Sequence, residues 1–258
     1  MLPMSYGTFV DREQAGWMLV SRLRERGLGG PTKSRPLVLA IPRGGVEVGA
    51  ALAHGLAADL DVVLARKLRA PHQPELALGA VSEGGEVYLN HFAAAMTDAG
   101  ESWIEAERGR QMAEISRRRA MFRAVQPQAP IAGRTVIVTD DGLATGATMI
   151  AALRTVRAAQ PARLIVALPV APADRLAAIE PLCDQLECLQ QPQDFLAVGQ
   201  FYRSFDEVTD DRVVELLRDF GSASSRWVEK PVTTGTRREP EFAGEPSLRA
   251  GPRRDRQG

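Results

Sequence analysis

Four apolar runs of strand length limit what this chain can fold into more than any other feature. They are Leu-Val-Leu-Ala-Ile (37–41), Asp-Val-Val-Leu-Ala (61–65), Thr-Val-Ile-Val-Thr (135–139) and Arg-Leu-Ile-Val-Ala-Leu-Pro-Val (163–170). Each is nearly continuous in apolar character and does not alternate with polar residues. Strands of that kind have both faces covered, as in a parallel sheet. Helical patterns lie between several of them, at 46–57 after the first run and roughly 147–159 after the third. This order predicts an α/β fold, with a central, mostly parallel sheet flanked by helices.

Other segments decorate that core. Residues 11–26 read as an amphipathic helix capped by Asp11. Residues 79–90 read as a hairpin that turns at Gly84 and Gly85. The segment 101–123 reads as a long charged helix. Its Arg117-Arg118-Arg119 run invites a nucleic-acid reading, but Glu101, Glu105, Glu107 and Glu114 share the helix. The whole chain carries 32 basic and 32 acidic residues, a formal net charge of zero. A solvated helix face is therefore expected, with no nucleic-acid partner. Residues 222–258 lose periodicity and gather Gly, Pro, Ser, Thr and Arg, which predicts a disordered tail behind a folded domain of residues 1–221. Cys183 and Cys188 make no disulfide framework, and reduced packing residues in a cytoplasmic protein are expected. No run approaches the roughly 18 apolar residues of a membrane helix. The N-terminal residues lack the basic start and apolar run of a signal peptide, so no membrane partner is expected.

The chemistry concentrates in Val-Ile-Val-Thr-Asp-Asp-Gly-Leu-Ala-Thr-Gly-Ala-Thr (136–148). Asp140 and Asp141 stand together at the end of a buried strand. Like charges that close repel each other and resist burial, so something must offset them. In open α/β sheets ligands bind beyond the carboxyl ends of the strands. After the acids, Gly142 and Gly146 let backbone approach a ligand closely. Thr145 and Thr148 supply hydroxyls, and the next helix turns its first N–H groups toward the same place. This makes a phosphate cradle with neither the Walker nor the dinucleotide pattern. Acids beside the cradle, not inside it, suit a phosphate that neighbours hydroxyls or a metal. A sugar phosphate fits.

The same thirteen residues closely resemble the signature of the type I phosphoribosyltransferases. The resemblance implies a transferase that uses 5-phosphoribosyl 1-pyrophosphate (PRPP) and Mg2+. It would pass the phosphoribosyl group to a small acceptor, a nitrogenous base, and release pyrophosphate. It also implies the family's fold, with a small hood and a flexible loop. By this resemblance Gly142, Leu143, Ala144, Thr145, Gly146, Ala147 and Thr148 would hold the 5′-phosphate. Asp140 and Asp141 would hold the ribose hydroxyls, directly or through metal-bound water.

Two further segments follow the same template. Ile-Pro-Arg-Gly-Gly (41–45) resembles the family's pyrophosphate loop, with Arg43 as a charge and Gly44 and Gly45 as open amides. The family often has a strained or cis peptide there, and one is expected. Arg66 and Lys67 stand where the family sets basic residues against pyrophosphate. With Asp140 and Asp141 they form the implied catalytic set. The Pro-rich stretch behind them matches a flexible closing loop. His72 and Glu75 fall in it and could assist proton transfer, although solvated loop residues are the plainer reading. Phe195 is the candidate that stacks on the acceptor, with Phe201 and Tyr202 as weaker ones; packing explains Phe195 equally well. Hypoxanthine-guanine enzymes carry an acid where this chain has Ala144, and its Ala-Thr-Gly order is closer to the adenine and uracil enzymes. The family also implies a homodimer. The same residues suit a non-catalytic PRPP-binding regulator, a hydrolase or phosphatase on this fold, or a scaffold that has lost the chemistry.

Overall fold

The computed structural model describes residues 8–28, 35–90, 97 and 99–222. The strands are β1 (Leu37–Ala40), β2 (Asp59–Val62), β3 (Ala65–Ala70), β4 (Gln73–Ser82), β5 (Val87–Leu89), β6 (Thr135–Thr139), β7 (Arg163–Val170) and β8 (Gln185–Gln190). Five of them form a parallel sheet in the order β2-β1-β6-β7-β8. The helices are α1 (Arg12–Glu25), α2 (Gly45–Gly55), α3 (Glu101–Arg123), α4 (Ala147–Ala158), α5 (Ala173–Ile179) and α6 (Asp210–Ser222).

Strand geometry sends successive side chains to opposite faces, and both faces here are apolar. Val38, Ala40, Ile137 and Ile165 meet Leu19 and Leu23 of α1, Leu52 of α2 and Leu217 of α6. Leu37, Leu39, Val136, Val138 and Val166 meet Met149, Leu153 and Val156 of α4. Each Val, Leu, Ile or Met side chain among them contributes roughly 1.5–3 kcal/mol on burial. This is why the runs are continuous. Asp11 caps α1 as expected, its Oδ1 accepting from the Gln14 amide at 2.7 Å.

Three expectations change. The run 61–65 is one strand only as far as Val62. Ala65 opens β3, which belongs to a separate antiparallel sheet of β3, β4 and β5. The stretch expected as a flexible loop is therefore largely a hairpin. Its tight turn at Pro71 and His72 holds His72 at φ 60°. The side chain of Glu75 lies outside the described residues. The Arg117-Arg118-Arg119 run is also more than a solvated face. Arg117 Nη2 donates to Asp210 of α6 at 2.6 Å, and Arg118 Nε lies 3.3 Å from the same carboxylate. The run ties α3 to α6. The expected hairpin at 79–90 is present as β4 and β5, with Gly85 at φ 82°.

Asp61 of β2 is 1% exposed. It accepts from Arg123 Nη1 at 2.6 Å, from the Val62 amide at 2.7 Å and from the Ala129 amide at 2.8 Å. A short hood joins the segment at Phe9 to the segment at 201–203: the Phe9 amide donates to the Phe201 carbonyl at 2.8 Å, and the Arg203 amide donates to the Phe9 carbonyl at 2.8 Å. Among the described residues no helix is long and apolar enough to cross a membrane. The expected tail lies outside the described residues, apart from Ser222 at the end of α6.

Candidate functional site

The carboxyl ends of β1 and β6 lie side by side, and the Ile41 amide donates to the Thr139 carbonyl at 2.9 Å. The parallel register thereby brings the 41–45 loop against the 140–148 loop. Contact is close enough to dictate residue type. A Cβ on Gly44 would overlap the Asp141 carboxylate, and one on Gly45 would lie 2.8 Å from the Asp140 Cα. Only glycine fits there. The Pro42–Arg43 peptide is cis, as the resemblance implied.

The acids differ in their surroundings. Asp141 Oδ2 accepts from Arg12 Nε at 2.8 Å, and the Asp141 carbonyl accepts from the Tyr202 hydroxyl at 2.6 Å. Among the described residues Asp140 Oδ1 accepts the Asp141 amide alone, at 2.8 Å. Burial, then the Asp141 carboxylate, push the Asp140 carboxyl well above the ordinary carboxylate range; the Asp141 amide and the charge of Lys67 oppose this. Burial also raises Asp141, against the hydrogen bond and charge of Arg12. Burial pushes the Tyr202 phenol up as well, with the Asp141 charge adding to it.

Beyond the acids the chain makes a cradle. Gly146 takes φ 80° just ahead of α4, a left-handed conformation suited to glycine. None of the N–H groups from Ala144 to Met149 finds an acceptor among the described residues. Ala144 and Thr145 are exposed, and Thr148 is half-buried. The hydroxyls of Thr145 and Thr148 are not engaged by any described residue. Ala147 is buried under the first turn, and Gly142 lies against Val170 and Val198. Leu143 differs from its neighbours. Its side chain is 3% exposed in the core, and its amide donates to the Val170 carbonyl at 3.0 Å. It anchors the loop and offers no free group.

The basic candidates separate. Arg66 and Lys67 are adjacent on β3 and point to opposite faces. Lys67 acts on Asp140. Arg66 turns to α3, where its Nε donates to Gln111 Oε1 at 2.7 Å. Burial lowers its pKa, and Arg118, Arg69 and Arg43 add to that. Arg43 is hydrogen-bonded to the exposed Glu207 carboxylate. Phe195 stacks on Phe201, with ring centroids 5.4 Å apart, at the edge of a hood cluster that includes Phe9 and Tyr202. Packing holds that face of its ring.

The phosphoribosyl transferase domain family matches residues 25–205, a span that includes both loops. The chain belongs to that family. Two Mycobacterium tuberculosis proteins, from strains CDC 1551 and H37Rv, carry names that give them as candidate phosphoribosyl transferases. Each is 40% identical to this chain over 84% of its length and 49% of their own. The chain thus spans about half the length of the curated relatives it matches. The crystal structure of TT1426 from Thermus thermophilus is 42% identical, with a TM-score of 0.69. That match covers 83% of this chain and 99% of TT1426.

For a phosphoribosyl transferase domain, the donor set bears on the metal. Among the described residues no group of three or more His, Cys, Asp or Glu side chains could hold an ion. Mg2+ usually keeps waters and is bound through one or two carboxylates together with substrate phosphates. An acid pair beside a row of N–H groups without acceptors among the described residues suits an ion that arrives with a phosphate-bearing substrate. The sequence reading missed Arg12. Its signal was present: Arg12, Ala15, Gly16, Leu19, Val20 and Leu23 are the buried residues of α1, so a charge begins the helix's apolar stripe.

Proposed function

We propose that this phosphoribosyl transferase domain binds Mg·PRPP and transfers its phosphoribosyl group to a nitrogenous base, releasing pyrophosphate. The observation that carries this reading is the apposition of three parts within two adjoining loops. These are a carboxylate left short of donors, a row of N–H groups left without acceptors, and two glycines pressed against the acids.

The free amides from Ala144 to Thr148, with the Thr145 and Thr148 hydroxyls, take the 5′-phosphate at the helix terminus. Asp140 and Asp141 receive the ribose hydroxyls. Gly44 and Gly45 let the pyrophosphate approach the backbone. Arg43 swings from the exposed Glu207 toward it, and Lys67 meets it from β3. Arg66, turned toward α3, adds to the positive field. Asp140 and Asp141 would hold Mg2+ through water, and the ion would supply charge neutralisation to the leaving group. The C1′–O bond breaks with the electron pair going to pyrophosphate, and the acceptor nitrogen attacks C1′ of the cationic ribose and gives up its proton to water. Positioning and preorganised charge supply the rate enhancement, with no protein nucleophile. Phe195 offers an aromatic edge at the hood for the acceptor.

The test is pyrophosphate release from Mg·PRPP with pooled nucleobases, with Asp140→Asn as control. Release that needs both a base and Asp140 supports a transferase. Release of phosphate or pyrophosphate without any base points to a hydrolase. Binding of Mg·PRPP with no product points to a regulator.

A further inference from the structure

Helix α3 meets the β3–β4 hairpin through polar side chains set about one turn apart. Trp103, Glu107 and Gln111 follow one another at every fourth position, which lines them along one stripe of the helix. Glu107 and Gln111 are 4% and 7% exposed. All three reach the same stretch of β3. Gln111 Oε1 accepts from Arg66 Nε at 2.7 Å, Glu107 Oε1 accepts from the Arg69 amide at 3.2 Å, and Trp103 Nε1 donates to the Arg69 carbonyl at 3.1 Å. These side chains also hold one another. Gln111 Nε2 donates to Glu107 Oε1 at 2.8 Å, and Arg110 Nε donates to Glu107 Oε2 at 2.8 Å while its guanidinium lies over the Trp103 ring.

The stretch they grip is the irregular part of the strand. The ladder between β3 and β4 is regular from Ala65 to Leu68 and shifts on each side of Arg69. Shifts of this kind re-aim side chains and are common beside active sites. Apolar packing already joins the hairpin to α3, since Leu68 and Leu78 share a core with Ile115. The polar contacts add something that packing does not: they fix both backbone groups of Arg69 and the side chain of Arg66. Lys67 lies between these two gripped residues. Its side chain leaves the opposite face of the strand, and its charge acts on Asp140.

We propose that Glu107 is a positioning residue for Lys67. With Gln111 and Trp103 it clamps Arg66 and Arg69, fixes the shifted strand, and so sets where Lys67 Nζ stands against Asp140 and the leaving pyrophosphate. The pyrophosphate rests on the function proposed above, whereas the clamp and its effect on Lys67 in the free protein do not. Side chains joined in one buried network act as a unit, so loosening one member shifts what the others hold.

The chain has three lysines, Lys33, Lys67 and Lys230, so its reductively 13C-methylated side chains give few NMR signals, and Lys67→Arg identifies that of Lys67. The experiment records this signal in the wild-type chain, Asp140→Asn, Glu107→Leu and Trp103→Phe. The unmethylated proteins are titrated with Mg·PRPP and with ribose 5-phosphate, which has no pyrophosphate. Trp103→Phe keeps a ring and removes only the N–H donor, so it serves even where Glu107→Leu fails to fold. Asp140→Asn is expected to move the Lys67 signal, and both clamp variants to move it part of the way in the same direction. Mg·PRPP binding should weaken at least about fivefold in Glu107→Leu and about threefold in Trp103→Phe, with ribose 5-phosphate within about twofold of wild type. In a Lys67→Met background Trp103→Phe should cause no further loss.

A Lys67 signal that stays in place in folded Trp103→Phe, or that ignores Asp140→Asn, overturns the proposal. Equal weakening of both ligands shows that the clamp serves the whole fold, and further loss in the Lys67→Met background shows that it acts by another route; either result also overturns it. If the wild-type chain binds neither ligand, the functional reading falls, and the Lys67 signal alone decides the clamp.

Discussion

Asp61 and Asp140 are acids of neighbouring regions in one sheet, and their surroundings are opposite. Asp61, on β2, has a guanidinium and two backbone amides for its carboxylate. Asp140, beyond β6, has one amide, a second acid beside it and a lysine acting on it. The nearby backbone repeats the contrast. The Ala129 amide is directed at Asp61, whereas the amides from Ala144 to Met149 have no acceptor among the described residues. Buried polar groups in a folded protein are nearly always paired. A carboxylate with a full set of donors holds the fold together. One left short, next to donors also left short, marks where a ligand completes the pairing.

The most severe test of that contrast is at Asp61. Asp61→Ala leaves Arg123 without its partner and should destabilise the fold by about 3–5 kcal/mol in urea unfolding. A loss under about 1 kcal/mol would mean that a full donor set does not identify a structural acid. The second test is at Asp140. Asp140→Asn should melt no lower than wild type, because it removes a desolvated charge beside another. It should weaken Mg·PRPP binding by roughly a hundredfold, the size of one or two hydrogen bonds to a charged group. A large drop in melting temperature would place Asp140 in the same class as Asp61. Thr145→Ala should cost about 1–2 kcal/mol of Mg·PRPP affinity with no change in melting, and equal affinity would remove the hydroxyl from the cradle.

The smallest expected effect concerns pH and lies in the network between α3 and α6. The hydrogen bond from Arg117, with the charges of Arg118 and Arg117 adding to it, lowers the Glu114 carboxyl from 4.5 to about 2. A carboxyl whose folded pKa is depressed stabilises the fold above its unfolded pKa, and that stability is lost as pH falls through the folded value. Stability should therefore decline between about pH 4.5 and pH 2, and Glu114→Gln should flatten that part of the profile while leaving Mg·PRPP affinity alone. An unchanged slope would count against the α3–α6 network as an acid-sensitive contact.

The sheet and both site loops were legible because their signals are local. The runs at 37–41, 135–139 and 163–170 became β1, β6 and β7 because burial on both faces demands continuous apolar residues. Glycine next to acid in the 140–148 segment has few structural uses, and the glycines at 44 and 45 proved to press against those acids. Three features were not legible. Gln-Leu-Glu-Cys-Leu-Gln (185–190) is the edge strand β8, and half-exposed edge positions dilute the apolar signal. Pro71 and Pro74 argued for a loop, yet Pro71 falls in the two-residue turn at the tip of the β3–β4 hairpin and Pro74 lies just inside β4, where the ladder with β3 is irregular. The contact between Arg12 and Asp141 spans 129 positions, and no local pattern encodes a partner that far away. The separation of Arg66 from Lys67 shows the same limit: the sequence supplied two adjacent cations, and strand pleating sent them to different faces.

The measurement that bears most directly on the central claim is calorimetric titration of Mg·PRPP into the full chain, with Asp140→Asn as control. The account predicts saturable binding to wild type and loss of that binding in a variant that still melts like wild type. Equal binding to both proteins, or no binding to wild type at millimolar ligand, would contradict it.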